Sequence, residues 1–255
     1  MTAAHAIEAV GLCKNFGAIQ VARAIDFALA PGARHALIGP NGAGKTTFVN
    51  LLTGILRPSR GRVIVGGDDV TGLSAAARVR HGLARTFQIN SLFATLTVLE
   101  NVLLAVIERR RLTRRWLGPV GRDSALIDEA MAILADLRLA EFAAQRITAL
   151  PYGRQRMVEI AIALALRPRV LLLDEPAAGI PTAEHHILLD VIDRLPAEIA
   201  LLVIEHDMDL VFRIARRITV LVAGGILTTG DAAEIAGDER VREVYLGTSA
   251  RRLHG

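Results

Sequence analysis

A glycine-rich segment with one lysine separates an apolar, strand-like run from a helical run, and its spacing is GxxxxGK[ST]. Glycines let backbone N–H groups converge on phosphate oxygens, and the following helix N-terminus adds positive potential. A lysine there reaches β- and γ-phosphates, and the next hydroxyl can ligate Mg²⁺. The segment therefore predicts a nucleoside triphosphate site. With the adjoining threonine it consists of Gly39, Pro40, Asn41, Gly42, Ala43, Gly44, Lys45, Thr46 and Thr47.

Two adjacent carboxylates, Asp174 and Glu175, follow the uninterrupted apolar run Val170–Leu173. Ligands of open α/β sheets bind at the carboxyl ends of such strands. Asp174 can hold Mg²⁺ through its water shell, and Glu175 can orient and deprotonate an attacking water. A strand-ending aspartate alone is often only a turn residue, but the upstream phosphate loop makes the catalytic interpretation the expected one.

Two further residues follow strand-like segments. His206, after Ala200–Ile204, could donate a hydrogen bond to the γ-phosphate and help position the water. Gln88 could complete the Mg²⁺ shell with its side-chain carbonyl. A lone histidine is more often structural, and an isolated glutamine carries little information, so neither residue decides the function alone.

Composition sets limits on the class of protein. The chain has 255 residues, a formal net charge of +4 and one cysteine, Cys13. A single cysteine forms no internal disulfide, which fits a reducing cytosol. The arginines are mostly scattered and aromatic residues are few (4%), so no nucleic-acid partner is expected. No run reaches about 18 apolar residues, so we expect neither a membrane span nor a signal peptide.

The first part of the chain contains short strand-like runs at Ile7–Leu12, Ile25–Leu29, His35–Ile38 and Val63–Val65. A helix is predicted from about Gly44, with an apolar face that consists of Phe48, Leu51, Leu52 and Ile55. Ser74 and Thr97 are predicted to cap the helices that follow them.

After about residue 150 strands and helices alternate. Helix Thr182–Leu195 separates two apolar strands, and Ile218–Val222 with Ile226–Thr229 predicts a hairpin. Such alternation predicts a three-layer core around a parallel sheet. The mainly helical middle, roughly residues 89–165, is a candidate insertion.

The order of these motifs along the chain resembles that of ABC ATPases. Leu150–Arg156, predicted to be a glycine-centred turn, occupies the place of the family signature, LSGGQ, just before the helix that leads to Asp174. The resemblance covers essentially the whole chain. It implies an α/β fold with a P-loop (RecA-like) core and an antiparallel β subdomain over residues 1–88 and 166–255. An α-helical subdomain would be inserted over about residues 89–165.

The resemblance also implies roles for individual residues, with ATP and Mg²⁺ as the cofactors. Phe16 would stack on adenine, although from the residues alone it reads as a core phenylalanine. Gln88 would be the Q-loop residue and His206 the switch histidine. Catalysis would involve Glu175, His206 and Lys45, and the Mg²⁺ ligands would be Thr46, Gln88 and Asp174. Gly153 and Arg154, in the signature, would contact the nucleotide of a second subunit.

A narrower resemblance is to the ATP-binding subunit of branched-chain amino acid importers. Its segments are Ala84–Gln88, Leu96–Val102, Glu175–Gly179, Ile204–Met208 and Val244–Gly247. It implies ATP-driven import through separate transmembrane permease subunits, served indirectly by a periplasmic or extracellular solute-binding protein. The chain would then sit peripherally on the cytoplasmic face of the inner or cell membrane. Relatives that move urea, amides or other small polar solutes carry similar segments. A soluble ABC ATPase not tied to transport would normally show paired cassettes or a long coiled coil.

Several positions depart from the family pattern. Pro151 stands where the signature has serine, Tyr152 replaces a glycine and Arg154 replaces the glutamine; Gly179-Ile180 is followed by Pro181 instead of the D-loop aspartate. Proline offers neither a hydroxyl nor an N–H, so two possible phosphate donors are missing. Because the family's ATPase subunits pair head to tail, we expect a weakened signature facing the second site. A heterodimer with unequal sites is one hypothesis, and a homodimer stays open.

A basic cluster lies in the helical middle. It consists of Arg109, Arg110, Arg111, Arg114 and Arg115, beside Trp116. The cluster could contact lipid phosphates or a loop of a membrane domain. A solvated arginine-rich turn is the alternative interpretation, and both stay open at this point.

Overall fold

The fold is described from a computed structural model that covers residues 5–86, 92–112 and 123–251, with residues 246–251 as backbone only. Gln88, Arg114, Arg115 and Trp116 lie outside these ranges. The strands are β1 (Ile7–Phe16), β2 (Ile19–Leu29), β3 (Arg34–Ile38), β4 (Arg60–Val65), β5 (Asp68–Asp69), β6 (Leu83–Arg85), β7 (Val170–Asp174), β8 (Ala200–Ile204), β9 (Arg217–Val222) and β10 (Gly225–Gly230). The helices are α1 (Lys45–Thr53), α2 (Ala75–Arg80), α3 (Val98–Arg109), α4 (Ser124–Asp136), α5 (Tyr152–Ala165), α6 (His185–Asp193), α7 (Met208–Ile214), α8 (Ala232–Gly237) and α9 (Glu239–Arg251).

The larger sheet has the strand order β10-β9-β3-β8-β7-β6. Its pairings are parallel from β9 through β6, and only β10 runs antiparallel, as the partner of β9 in the predicted hairpin. Strands β7 and β8 are buried along their whole length, as their uninterrupted apolar sequences predict. The carboxyl ends of β3, β8 and β7 therefore lie side by side at one edge of the sheet.

A second, antiparallel sheet has the order β2-β1-β4-β5. Its inner face forms one apolar cluster with α1 and with one face of the larger sheet, including Leu12, Ile25, Phe48 and Leu172. This packing holds α1, and the loop before it, between the two sheets.

The middle of the chain is helical where it is described. One face of α4 (Leu126, Ala130 and Leu134) belongs to the same apolar cluster as α3, α5 and the opposite face of the larger sheet. Thr97 caps α3 in a capping box with Glu100, as its position predicts. Helix α5 therefore joins the helical middle to the sheet.

Some element boundaries differ from the sequence predictions. Ile55 was placed on the apolar face of α1, which is wrong: Gly54 adopts φ 77°, the helix ends at Thr53 and Ile55 is 51% exposed. Ser74 caps α2 as predicted, accepting a hydrogen bond from the Ala77 amide. Strand β2 begins at Ile19, six residues before its predicted start.

Within residues 5–86, 92–112 and 123–251, every helix is too short or too polar to traverse a membrane.

Candidate functional site

The phosphate loop connects β3 to α1 and has a backbone that requires glycine. Gly42 and Gly44 adopt φ of 79° and 101°, in the left-handed region that favours glycine. At Gly39 a Cβ would collide with the carbonyl oxygen of Leu221, on the neighbouring strand β9. Gly44 is the N-cap of α1 and offers no side-chain cap, so the first-turn amides of α1 have no side-chain acceptor there. Such a turn is suited to anion binding.

Lys45 lies across its own loop. Its Nζ donates hydrogen bonds to the main-chain oxygens of Gly39 (2.6 Å) and Pro40 (3.1 Å). Partial burial lowers the pKa of Lys45, while the charges of Glu175 and Asp174 raise it. The ammonium group is therefore held by the loop carbonyls and attracted by Glu175, the predicted catalytic base, and Asp174, the predicted metal ligand.

The two carboxylates at the end of β7 differ in their surroundings. Asp174 is 3% exposed, and its Oδ2 accepts a hydrogen bond of 2.5 Å from Arg85 Nη2. Glu175 is only half-buried and adopts φ 47°, which is uncommon for a residue with a side chain. Its amide donates to the Ile204 carbonyl over 2.8 Å. The Asp174 carboxylate is therefore fixed by the Arg85 guanidinium, whereas Glu175 lies on a turn beside the phosphate loop.

The donor chemistry at this edge suits Mg²⁺. The exposed Thr46 hydroxyl and the carboxylate of Asp174 are hard oxygen ligands. Mg²⁺ is usually held by one or two carboxylates, several waters and the phosphates of the nucleotide. The described residues contain no cluster of three acidic, histidine or cysteine side chains that could bind a metal without such a nucleotide. The third predicted ligand, Gln88, lies outside the described residues.

His206 follows β8, which lies between β3, the strand before the phosphate loop, and β7, the strand before Glu175. The His206 side chain is 72% exposed. Its amide donates to Glu205 Oε2 over 3.0 Å, while Glu205 Oε1 accepts a hydrogen bond from the Ala177 amide over 3.1 Å. The buried Glu205 thus links the loop after β7 to the loop after β8. Glu205 was not predicted from the sequence, although a carboxylate directly after a fully apolar strand is a visible signal.

Phe16 ends β1, beside the turn to β2. It is 51% exposed, so it is no core phenylalanine, and Lys14 Nζ lies 5.1 Å from the centre of its ring. An open aromatic face is what stacking on a base requires. The role of Phe16 at adenine stays a prediction.

The signature segment is helical, not a glycine-centred turn, so that prediction is wrong. Pro151 is the N-cap of α5, and residues from Tyr152 onward form its first turns, with Gly153 among them. Proline is tolerated at this position because a residue before the first helical turn needs no intrahelical N–H. The guanidinium carbon of Arg154 lies 5.2 Å from the centre of the Phe142 ring, so Arg154 stacks on an aromatic side chain of its own subunit.

A buried ion pair on α5 contacts the turn at Glu175. Arg156 Nη1 lies 2.5 Å from Glu159 Oε2, and Arg156 Nη2 donates to the Glu175 carbonyl oxygen over 3.3 Å. Burial raises the pKa of the Glu159 carboxyl, and the hydrogen bond from Arg156 opposes that rise. Neither residue was assigned a role from the sequence, where the only signal was an Arg–Glu pair three residues apart in a helix that is wholly apolar from Ile160 onward.

Known proteins with similar sequences align with this chain along most of its length. The model of the family described as ABC transporter matches residues 22–178. A high-affinity branched-chain amino acid transport ATP-binding protein of Pseudomonas aeruginosa is 36% identical over 250 residues, which are 94% of this chain and 97% of that protein. A high-affinity branched-chain amino acid transport ATP-binding protein of Escherichia coli is 37% identical to this chain over 249 residues, which are 93% of this chain and 96% of that protein. A ribose import ATP-binding protein of Rhizobium meliloti is 35% identical, and this chain spans only 48% of its length.

Solved structures agree with these relatives. An ATP-binding cassette of an ABC transporter in its ADP conformation superposes with a TM-score of 0.83 at 28% identity, covering 95% of this chain and 99% of that one. A nucleotide-free ATP-binding cassette of an ABC transporter superposes with a TM-score of 0.82 at 26% identity, covering 94% of this chain and 98% of that one. The chain therefore belongs to the ABC transporter family and is one of its ATP-binding, ATP-hydrolysing cassettes.

Proposed function

We propose that this subunit powers the import of branched-chain amino acids or closely related solutes. The observation that carries this proposal is its similarity, along nearly the whole length of both chains, to two branched-chain amino acid transport ATP-binding proteins. The ribose import relative supports a second candidate, an importer of another small polar solute. The urea and amide importers suggested by the sequence belong to that same alternative.

In the proposed hydrolysis of ATP, each residue of the site has a role. The backbone of Gly39–Thr46 holds the triphosphate, and Lys45 exchanges the Gly39 and Pro40 carbonyls for β- and γ-phosphate oxygens. Glu175 orients a water in line with the γ-phosphorus and takes its proton, while His206 helps to hold that water. Mg²⁺, held by Thr46, Asp174 and Gln88, would neutralise charge on the phosphates. Phe16 would stack on the adenine.

The helical middle transmits the chemistry in this proposal. We assign about residues 89–165 to a helical subdomain and residues 1–88 and 166–255 to the core with its β subdomain. Helices α3, α4 and α5 share one apolar cluster with a face of the larger sheet, and this contact would couple the helices to the core. Gln88 would connect this subdomain to the metal site.

The partners follow from the same function. Two cassettes would pair head to tail, with Gly153 and Arg154 of one facing the nucleotide of the other. Because Pro151 lacks a hydroxyl and an N–H, a second cassette with a complete signature would make the two ATP sites unequal. The pair would bind permease subunits peripherally, at the cytoplasmic face of the membrane. An external solute-binding protein would deliver the solute to these permeases.

Reconstitution tests the proposal. The chain is purified with its native membrane subunits and placed in proteoliposomes, and ATP-dependent uptake of labelled leucine, urea and ribose is measured. We expect leucine uptake that stops when Glu175→Gln replaces the wild type. Uptake of urea or ribose without leucine would favour the second candidate. A chain that binds no membrane subunit, or uptake that needs no ATP, would contradict a transport role.

A further inference from the structure

A pocket of about 500 Å³ lies between α2, the end of α3 and the loop before β7. Its lining is strongly basic, with five arginines and one histidine against two carboxylates, Asp68 and Glu108. The arginines come from three distant parts of the sequence, so only the fold brings them together. The basic lining residues are Arg80, His81, Arg109, Arg111, Arg167 and Arg169.

The pocket is separate from the nucleotide site. Arg169 directly precedes β7, whereas Asp174 ends that strand and Glu175 follows it. His81 and Gly82 likewise precede β6. The pocket therefore opens at the amino-terminal edge of the parallel strands, and the phosphate loop lies at the carboxyl edge. Nothing in the ATPase chemistry requires positive charge at this second edge.

One carboxylate neutralises part of the cluster. Glu129 accepts hydrogen bonds from the Nη2 atoms of Arg109 (2.7 Å), Arg110 (2.5 Å) and Arg167 (2.6 Å). Burial alone would raise the pKa of Glu129, but these arginines outweigh it and lower the pKa to about 2. Two of the arginines first noted in the sequence, Arg109 and Arg110, are thus fixed by an ion pair instead of being freely solvated.

The remaining positive charge has no such partner. Among the described residues, Arg80, Arg111 and Arg169 form no ion pair. Asp68, one of the two lining carboxylates, has its Oδ2 atom 3.6 Å from Nδ1 of His81. In the same part of the chain, Arg109 Nη1 is buried without a hydrogen-bond acceptor. Like charges that outnumber the nearby carboxylates repel one another, and an anion relieves that repulsion.

We propose that this pocket binds a phosphate-bearing anion. The planar guanidinium group matches phosphate oxygens with paired hydrogen bonds and is weakly hydrated, so several arginines around one cavity favour phosphate. The volume lies in the usual range for small-molecule sites, about 300–1,000 Å³. Two sources share this chemistry: the headgroup of an anionic phospholipid, and a soluble phosphorylated compound.

The test uses the full-length chain with saturating MgADP, so that the phosphate loop is filled and added phosphate reports on the pocket. Binding of inorganic pyrophosphate is measured by titration calorimetry. Binding to vesicles of phosphatidylglycerol with phosphatidylcholine, and of phosphatidylcholine alone, is measured by sedimentation. Arg80→Gln/Arg111→Gln is compared with Arg57→Gln/Arg213→Gln, which removes the same charge from exposed positions outside the pocket.

The pocket variant should bind at least one probe at least about tenfold more weakly, while the matched control keeps wild-type binding. Loss confined to pyrophosphate identifies a soluble ligand, and loss confined to phosphatidylglycerol vesicles identifies a lipid headgroup. An unchanged affinity for MgADP shows that the variant is folded, and the single change Arg80→Gln replaces it if that affinity falls. Equal binding by the pocket and control variants to both probes would overturn the proposal.

Discussion

The Nη2 atom of Arg156 donates a hydrogen bond of 3.3 Å to the main-chain oxygen of Glu175. Arg156 lies near the start of α5, in the signature segment, and Glu175 follows β7. The contact therefore ties α5 to the turn that presents the proposed catalytic carboxylate, Glu175, of the same subunit. Glu175 itself adopts φ 47°, a conformation that persists in a residue with a side chain only where neighbouring contacts hold it.

Arg156→Met should lower ATP turnover by about tenfold or more, with a smaller effect on the KM for ATP, because the Glu175 turn loses a support while the phosphate loop is intact. It also leaves Glu159 buried without its partner, which costs roughly 3–5 kcal/mol in unfolding free energy. The measurements are steady-state kinetics and urea unfolding.

The double change Arg156→Met/Glu159→Leu separates the two effects. Removing both charges should restore most of the stability but none of the turnover. A double variant with wild-type turnover would show that Arg156 only stabilises the fold.

Pro151→Ser should stabilise α5, whose N-terminus has no side-chain cap. A serine there accepts a hydrogen bond from a first-turn amide, worth about 1 kcal/mol in unfolding free energy. Thr97→Ala is the matched control, since it removes the existing cap of α3 and should cost a similar amount. In the assembled pair the new hydroxyl should also raise turnover at the opposite site. An unfolding free energy no higher than that of the wild type would contradict the prediction.

Buried His35 should make the fold less stable in mild acid. Its Nε2 lies 2.8 Å from Thr219 Oγ1, and burial, with the charge of Arg217, lowers its pKa from 6.5 to about 4. Between these values the unfolded chain takes up a proton that the folded chain does not. Stability attributable to His35 therefore falls as pH drops from 6.5 to 4, by at most roughly 3 kcal/mol.

The matched variant for this effect is His35→Gln, which does not titrate. Urea unfolding at several pH values from 7 to 4.5 should give a flatter profile for the variant than for the wild type. Parallel profiles would show that His35 is not the titrating group. The Glu129 carboxyl, with a pKa of about 2, changes charge mainly below this window.

The phosphate loop and the carboxylates of β7 could be predicted because their chemistry is encoded in local spacing. Each motif lies within a few residues, and the apolar strands before them show where the sheet edge must be. The caps at Ser74 and Thr97 were predictable for the same reason. The predicted end of α1 was wrong because Gly54 adopts a left-handed φ and stops the helix. The predicted turn at Gly153 was wrong because α5 begins earlier, directly after Pro151.

The contacts that support the site could not be predicted, because they join residues far apart in the sequence. Glu205 bonds the Ala177 amide across two strands, and Arg85 holds Asp174 from β6. The arginine pocket likewise combines α2, α3 and the loop before β7. Such pairs follow from sheet order and helix packing, which a single sequence does not specify.

The most direct test of the account is ATP binding and turnover by the Glu175→Gln variant, assembled with its partner cassette in the presence of Mg²⁺. Exposed Glu198, before β8, supplies the matched control Glu198→Gln. The account predicts that Glu175→Gln keeps ATP affinity within about twofold and loses turnover by about 100-fold or more, while the control behaves as the wild type. Undiminished turnover by Glu175→Gln, or a wild-type chain that fails to bind ATP, would contradict it.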